Sequence, residues 1–195
     1  MSAEGRRRDW RRVFAGGLET KRLVLRGLTE TDFKRWRKGY AERQPKQHAF
    51  DRGPVAPSGL TRERFDHYRS IHWRDARRDK AYVFCAFLRE SGAAAGFVDI
   101  SILERPQNSW ANIGYVIHNQ FQRQGLGKEA VAGVLKISAG ILRLNRIEAA
   151  IRPDNTPAIA LAKACGMRRE GIRKRFWLDD DGWQDHVIYA AIAAD

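Results

Sequence analysis

The segment of this chain whose residue types and spacing best suit chemistry is a short glycine-containing turn. It lies between an apolar, strand-like run from Ile113 to Ile117 and an apolar, helix-like run from Ala130 to Leu142. In order, its residues are Gln122, Arg123, Gln124, Gly125, Leu126 and Gly127. Glycines at the mouth of a helix let backbone N–H groups approach an anion, and the helix dipole favours negative charge there by roughly 0.3–1 kcal/mol. The turn therefore predicts a cradle for a pyrophosphate, to which Arg123 and Lys128 would add positive charge.

Two other phosphate-binding patterns do not occur in the chain. The P-loop requires G-x-x-x-x-G-K-[ST], and the dinucleotide fingerprint requires G-x-G-x-x-G followed by an acidic residue. Neither spacing is present in the sequence. The alternative for the glycines is an ordinary helix-start turn that binds nothing.

The order of the surrounding segments strengthens the first interpretation. These segments are Ala111 to Ala130, Arg146 to Gly171 and Asp181 to Tyr189. Together they resemble the GNAT superfamily of acyl-CoA-dependent N-acetyltransferases. The strongest likeness is to the bacterial enzymes that modify the N-terminal amine of ribosomal proteins, especially the alanine-specific branch. The resemblance is clear from Ala111 to Ile192 and weaker over residues 20–103.

The resemblance implies an α+β fold with a mixed, mostly antiparallel sheet flanked by helices, whose splayed pair of central parallel strands binds acyl-CoA. Hydrophobic patterning agrees with this architecture. It predicts strands over Tyr82–Leu88, Ala95–Leu103 and Trp110–Ile117, then a helix, a strand, a helix and a final hairpin. We expect a basic, flexible leader over residues 1–17 and a single domain over residues 18–195.

Carried over by position, the resemblance implies a set of acetyl-CoA-binding residues. They are Tyr115, Val116 and Ile117 for the pantetheine arm, Gln122, Arg123, Gln124, Gly125, Leu126, Gly127 and Lys128 for the pyrophosphate, and Asn155 for the pantetheine amides. Asn155 also begins a helix, so a capping role is the alternative. The chain departs from the family at two positions. Ala158 stands where some relatives have a serine, and Ala162 stands where many have a tyrosine that reprotonates the CoA thiolate. No general acid can therefore be carried over from the family to this chain.

Three side chains are candidates for the base that accepts the amine proton. Asp99 lies on a predicted central strand, Glu148 lies on the strand before Asn155, and His118 follows the pantetheine strand. An α-amine with a pKa of about 7.7–8.0 is roughly one-tenth neutral at pH 7, whereas a lysine near 10.4 is neutral only about 0.04% of the time. A weak base therefore suffices for an α-amine.

The chain is strongly basic, and the charge is distributed. Its formal net charge is +13 over 195 residues, and the leader contributes only three of those units. Such a field attracts polyanions, so the ribosome or other RNA is a candidate contact, and a solvated basic surface is the alternative. Homodimer formation stays open.

The remaining features indicate a cytoplasmic protein that needs no metal. Apolar runs are too short for a membrane span, and the basic N-terminus lacks the apolar segment of a secretory signal. Cys85 and Cys165 have no partners at metal-ligand spacing, so both are predicted to be small buried hydrophobes, with a thiol near the acyl site as the alternative for Cys165.

Three functions follow from these observations. The first is acetylation of the N-terminal α-amine of a protein, such as a ribosomal protein. The second is acetylation of a small amine such as an amino acid, a polyamine or an antibiotic. The third is a CoA-binding RNA or ribosome module with weak or no catalysis, which the loss of both acids at Ala158 and Ala162 would permit.

Overall fold

A computed structural model describes residues 11–105 and 107–193. Its helices are α1 (residues 11–16), α2 (Phe33–Ala41), α3 (Arg62–Arg77), α4 (Leu126–Gly140) and α5 (Thr156–Ala164). Its strands are β1 (Leu18–Glu19), β2 (Leu23–Arg26), β3 (Ala81–Leu88), β4 (Ala94–Glu104), β5 (Trp110–Ile117), β6 (Arg146–Ile151), β7 (Arg168–Asp179) and β8 (Gly182–Ile192). The element order predicted from Tyr82 onward is confirmed, and the short helix α1 and the two-residue strand β1 are additions.

All eight strands form one sheet in the order β1-β2-β3-β4-β5-β6-β8-β7. Every neighbouring pair is antiparallel except β5 and β6, which run parallel. This pair is registered only over Trp110–Asn112 of β5 and Arg146–Glu148 of β6. Beyond Asn112 the two strands diverge, so the predicted splayed parallel pair at the centre of a mixed sheet is confirmed.

The sheet is covered on both faces. On one face, α4 supplies Leu126, Val131, Val134 and Ile137 to a large core that also contains residues of β4, β5 and β6. On the other face, α2 and α3 supply Trp36 and Phe65 to a smaller core. Side chains alternate along a strand, so neighbouring residues of β4 and β5 serve different faces. This alternation decides which residues can reach a ligand.

The N-terminal segment packs on the domain from residue 11 onward. Residues 11–16 are helical, and Phe14 is 0% exposed, with its ring 4.9 Å from that of Trp73. The structure therefore differs from the flexible leader expected over residues 1–17 for the part it describes. The reason is that Val13 and Phe14 provide apolar surface within the otherwise basic run. Residues 1–10 lie outside the described part of the chain.

Two further properties concern membranes and metals. No helix in residues 11–105 and 107–193 is long and apolar enough to cross a membrane. Within those same residues, no group of three or more His, Cys, Asp or Glu side chains is arranged to hold a metal ion.

A buried ion pair fixes the start of α2 against the end of β2. The Asp32 carboxylate is fully buried and accepts hydrogen bonds from Arg26 Nη1 at 2.6 Å and Nη2 at 2.8 Å, and from Thr29 N at 2.8 Å. Burial raises the pKa of Asp32, but these hydrogen bonds outweigh burial and bring its pKa below the ordinary value. The carboxylate therefore stabilises the fold in its ionised form.

We expect Asp32→Asn to lower the free energy of unfolding by about 3–5 kcal/mol at pH 7, because it leaves a buried guanidinium unpaired. Because the pKa of Asp32 is lower in the folded state, its ionised carboxylate stabilises the fold at pH values above the unfolded-state pKa of about 3.9. This stabilisation is lost as pH falls through the folded-state pKa. The variant should therefore lose less stability than the wild type below about pH 4. Urea denaturation at pH 7 and pH 3.5 measures both effects. Asp66→Asn, which removes an exposed partner of Arg62 on α3, is the control and should change little.

Candidate active site

A cleft of about 370 Å³ opens where β5 and β6 diverge. It is lined by the end of β5, the turn before α4 and the start of α5, and one side is closed by the loop after α2. From the predicted CoA-binding set it includes Tyr115, Val116, Ile117, Gln122, Arg123, Gly125, Gly127, Lys128 and Asn155. The tertiary structure thus brings together residues that are up to forty positions apart in sequence.

The turn before α4 has the backbone geometry of an anion cradle. Gly125 is the N-cap of α4 with φ +77°, and no side chain caps the helix. Arg123 also has a positive φ, +58°. The first N–H groups of an α-helix have no intrahelical acceptor, and they carry the positive end of the helix dipole. The cleft therefore has backbone donors and the cations Arg123 and Lys128 at one end.

The two glycines of the turn have different physical roles. Gly125 adopts the left-handed conformation that side chains disfavour. Gly127 provides space, because a Cβ there would lie 3.2 Å from Leu161 Cδ2 and 3.4 Å from Ile117 Cγ1. Two other predicted cradle residues are placed differently: Leu126 is buried in the core, and Gln124 offers its carbonyl to Arg22 Nη1 at 2.7 Å.

Glu129 anchors the cradle helix to the beginning of the sheet. Its carboxylate accepts hydrogen bonds from Thr20 Oγ1 at 2.6 Å, Arg22 N at 2.6 Å and Arg22 Nε at 2.8 Å. The Arg22 guanidinium therefore offsets the acidic charge that lies in the first turn of α4. This pairing keeps the mouth of the helix suited to an anion.

The start of α5 forms the opposite wall of the cleft. Asn155 Oδ1 accepts a hydrogen bond from Ala158 N at 3.2 Å, so the residue caps its own helix as well as lining the cleft. Tyr115 Oη donates to the carbonyl of Ala158 at 2.9 Å and holds α5 against β5. Ala158 lines the cleft, whereas Ala162 is fully buried in the core. Neither alanine has a group that could protonate a thiolate.

The loop after α2 contributes a wall that the sequence had not indicated. Arg43, His48, Phe50, Asp51 and Arg52 all line the cleft. Asn119, which follows β5, holds the loop in place: its Nδ2 donates to Gln44 O at 2.8 Å and to Asp51 Oδ2 at 2.9 Å. Prolines and glycines predicted only a loop here, because an irregular segment has no periodicity that shows which side chains face a ligand.

A second, smaller space of about 190 Å³, here called the inner cavity, lies between the sheet and helices α2 and α3. Its walls include the aromatic side chains of Trp36, Tyr40, Tyr68 and Phe97. The ring centroids of Trp36 and Tyr40 are 5.2 Å apart, and those of Trp36 and Tyr68 are 6.4 Å apart. His118 lines both the cleft and the inner cavity, so the two spaces adjoin at this residue.

Asp99 is the only charged residue among the described residues that line the inner cavity. It pairs with Gly114 across β4 and β5, and a Cβ at Gly114 would lie only 2.5 Å from Asp99 Oδ1. The missing side chain at Gly114 therefore makes room for the carboxylate. Burial raises the pKa of Asp99 above its ordinary value. A partly desolvated carboxylate of this kind suits proton transfer from an ammonium group.

Glu148 has a different environment from the one a base requires. It is 2% exposed, and its carboxylate accepts hydrogen bonds from Arg146 Nε and Arg173 Nη2, each at 2.7 Å. It lines neither the cleft nor the inner cavity but a separate open pocket at the beginning of β5 and β6. Each carboxylate oxygen of Glu148 accepts a hydrogen bond from a guanidinium group, so its contacts are those of a structural ion pair.

His118 is 2% exposed, and neither ring nitrogen has a hydrogen-bond partner among the described residues. Burial, followed by the charge of Arg43, lowers the pKa of His118 to about 3, although backbone groups of Ala94 and Gly39 nearby act in the opposite direction. The imidazole is therefore neutral near pH 7 and weakly basic. Its burial and its low basicity do not suit proton abstraction from an amine.

The comparisons with known proteins agree with this geometry. A family model described as an acetyltransferase (GNAT) domain matches residues 22–168. The chain belongs to the GNAT acetyltransferase family, and it is an N-acetyltransferase.

Individual relatives include ribosomal-protein N-acetyltransferases. The ribosomal protein uS5-alanine N-acetyltransferase of Escherichia coli (strain K12) is 28% identical over 182 residues, which cover 91% of each protein. Mycobacterium smegmatis RimJ, solved in complex with CoA-disulfide, is 25% identical, with a TM-score of 0.72 and coverage of 88% of this chain and 82% of that chain. The Vibrio fischeri ribosomal-protein-S5-alanine acetyltransferase shares the fold, with a TM-score of 0.71, 22% identity and coverage of 91% and 97%. The resemblance to ribosomal-protein N-acetyltransferases is confirmed.

Proposed function

We propose that this enzyme transfers the acetyl group of acetyl-CoA to the N-terminal α-amine of a protein, of the kind found on ribosomal proteins. The observation that carries the proposal is the junction of the cleft and the inner cavity at His118, with one carboxylate, Asp99, in the inner cavity. The uS5-alanine acetyltransferase relative, which matches along most of the chain, supports this acceptor class.

The donor occupies the cleft. The N–H groups and cations at the start of α4 hold the pyrophosphate, and the unpaired edge of β5 beyond Asn112 offers backbone groups to the pantetheine arm. Asn155 keeps its side-chain N–H donors for the pantetheine while its oxygen caps α5. This arrangement directs the thioester toward the divergence of β5 and β6.

Asp99 acts as the base. The acceptor enters the inner cavity as an ammonium, which a carboxylate among aromatic rings favours. Asp99 first takes one proton from the ammonium, directly or through a water molecule, and the neutral amine nitrogen then attacks the carbonyl carbon. The new C–N bond forms, the C–S bond breaks and the second proton of the nitrogen passes to solvent. CoA leaves as a thiolate, which takes a proton from solvent because Ala158 and Ala162 supply no acid.

The inner cavity itself favours a second candidate, acetylation of a small amine. A space of about 190 Å³ with aromatic walls and one carboxylate has the size of a compact amine with a short apolar body. The two candidates share all the chemistry described above and differ only in what extends from the amine.

A panel of amines separates the candidates. We expect acetyl-CoA-dependent thiol release with peptides that begin with Ala, Ser or Met, and none with an N-terminally blocked peptide whose only amine is a lysine. The physical reason is that the α-amine is about two hundred times more often neutral at pH 7 than a lysine. Turnover confined to small amines would transfer the assignment to the second candidate. Acetyl-CoA binding without turnover of any amine would contradict both.

A further inference from the structure

Arg43 is a buried cation that forms no ion pair with an acidic side chain among the described residues. It follows α2, lines the cleft and is 6% exposed. Its Nε has no hydrogen-bond partner among the described residues, and its guanidinium lies 4.4 Å above the ring of Tyr40. Arginine stays charged even when buried, so this position retains a positive charge in a largely desolvated place.

The surrounding charges leave that position electropositive. Asp51 acts favourably on Arg43 through space, but its carboxylate is already bound by Asn119 Nδ2 at 2.9 Å, Gln47 N at 3.0 Å and Arg52 N at 2.8 Å. Arg52 adds a second positive charge nearby and also lines the cleft. An unpaired buried charge is costly, and an anionic ligand would remove that cost.

The proposed function places the pyrophosphate of CoA at the start of α4, so the position of Arg43 relative to Asp99 is informative. Asp99 pairs with Gly114, and His118, whose pKa the charge of Arg43 affects, lies four residues further along the chain. Four strand residues span about 13 Å. Asp99 lines the inner cavity and Arg43 lines the cleft, so a negative and a positive group lie on the two sides of His118, where the two spaces adjoin.

Resting on the proposed function, we propose that Arg43 is a specificity-determining residue that binds a carboxylate of the acceptor polypeptide. The N-terminal ammonium lies at Asp99, and an Asp or Glu side chain at the second to fourth residue reaches Arg43. An extended chain advances about 3.3 Å per residue, so a side chain two to four residues along can extend from the inner cavity past His118 into the cleft that Arg43 lines.

The test compares peptides that differ only by Glu or Gln at position 2, 3 or 4. We expect the wild type to favour Glu at one of these positions about tenfold or more in kcat/KM, the effect of a partly buried charge pair. Arg43→Gln should remove the preference, and Arg43→Lys should retain part of it. Arg37→Gln, which removes an exposed arginine from α2, is the matched control and should behave as the wild type.

Two results would overturn the proposal. One is equal kcat/KM for the Glu and Gln peptides with the wild type, a comparison that does not depend on whether any variant folds. The other is an increase in the KM for acetyl-CoA in Arg43→Gln that is the same for every acceptor, because Arg43 would then serve the phosphates of CoA.

Failure of the proposed function has a separate signature. If no peptide is acetylated, calorimetric titration of the same Glu and Gln peptides onto the enzyme loaded with CoA still measures the carboxylate contact. Tighter binding of the Glu peptide that is lost in Arg43→Gln supports the inference, and equal binding rejects it.

Discussion

Asp99→Asn is expected to lower kcat at pH 7 by about 10²–10⁴-fold, the usual contribution of a positioned general base. The amide keeps the size and shape of the carboxyl group but cannot accept the ammonium proton. The KM for acetyl-CoA should change little, because Asp99 lines the inner cavity and not the cleft. Steady-state kinetics with the best amine of the panel measures both constants.

The same substitution should not destabilise the protein. Burial raises the pKa of Asp99, so the ionised carboxylate lowers the stability of the folded state. This loss of stability develops as pH rises through the raised pKa. Asn removes this penalty, so the melting temperature at pH 7 should stay constant or increase. In the wild type, kcat/KM should fall on the acid side at a pH above the ordinary aspartate range, and this fall should be absent from the variant.

Asp66→Asn, at an exposed carboxylate of α3, is the control and should retain wild-type kcat. Wild-type kcat in Asp99→Asn would exclude Asp99 as the base. A variant that loses activity together with its folded structure would indicate that the Asp99 carboxylate is structural. We do not expect this result, because no Lys or Arg among the described residues lines the inner cavity beside Asp99.

The second large effect is expected at the mouth of α4. Gly125→Ala should raise the KM for acetyl-CoA by about 10–100-fold, the loss of one or two charge-assisted hydrogen bonds. Gly125 has φ +77°, and an added Cβ would also lie 3.3 Å from Arg22 Nη2. Alanine disfavours this backbone conformation by roughly 1–2 kcal/mol, so the turn should relax and move its N–H groups away from the pyrophosphate. Calorimetric titration with acetyl-CoA and with CoA measures the loss directly.

Gly166→Ala is a matched control for backbone strain. Gly166 has φ +82°, with open space around the position of a Cβ, and it lies after α5 outside the cleft. Both variants should lose a similar, small amount of stability, but only Gly125→Ala should lose affinity. Equal affinities in the two variants would show that the turn is not the pyrophosphate site.

Much of the cleft could be predicted because its donor side is continuous in sequence. The strand, the glycine turn and the helix follow one another, so Tyr115 to Lys128 carries a recognisable order of residue types. Asn155 was predictable because a helix start needs a cap, and the structure shows that capping and lining the cleft are compatible. Gln124 and Leu126 belong to the same segment, but their orientation depends on how Arg22 and the core pack against it.

The acceptor side could not be predicted in the same way. Among the three candidate bases, Glu148 and Asp99 look equivalent in the sequence, because each is a carboxylate on a central strand. Their contacts in the structure differ: Glu148 is bound by Arg146 and Arg173, whereas Asp99 lines the inner cavity together with aromatic rings. No pattern in the sequence indicated Arg43, because its proposed role depends on the position of a loop that Asn119 holds in place by hydrogen bonds.

The sequence by itself determined the fold class and the family and predicted a donor-binding segment, because these depend on local periodicity and on residues that are neighbours along the chain. The tertiary structure decided that Phe14 joins the core, that Glu148 is held in an ion pair whereas Asp99 lines a cavity, and that Arg43 is buried with an Nε that has no hydrogen-bond partner among the described residues. The physical reason is that burial and charge compensation depend on contacts between distant segments. Divergence of β5 and β6 after Asn112 creates the cleft at which those segments meet.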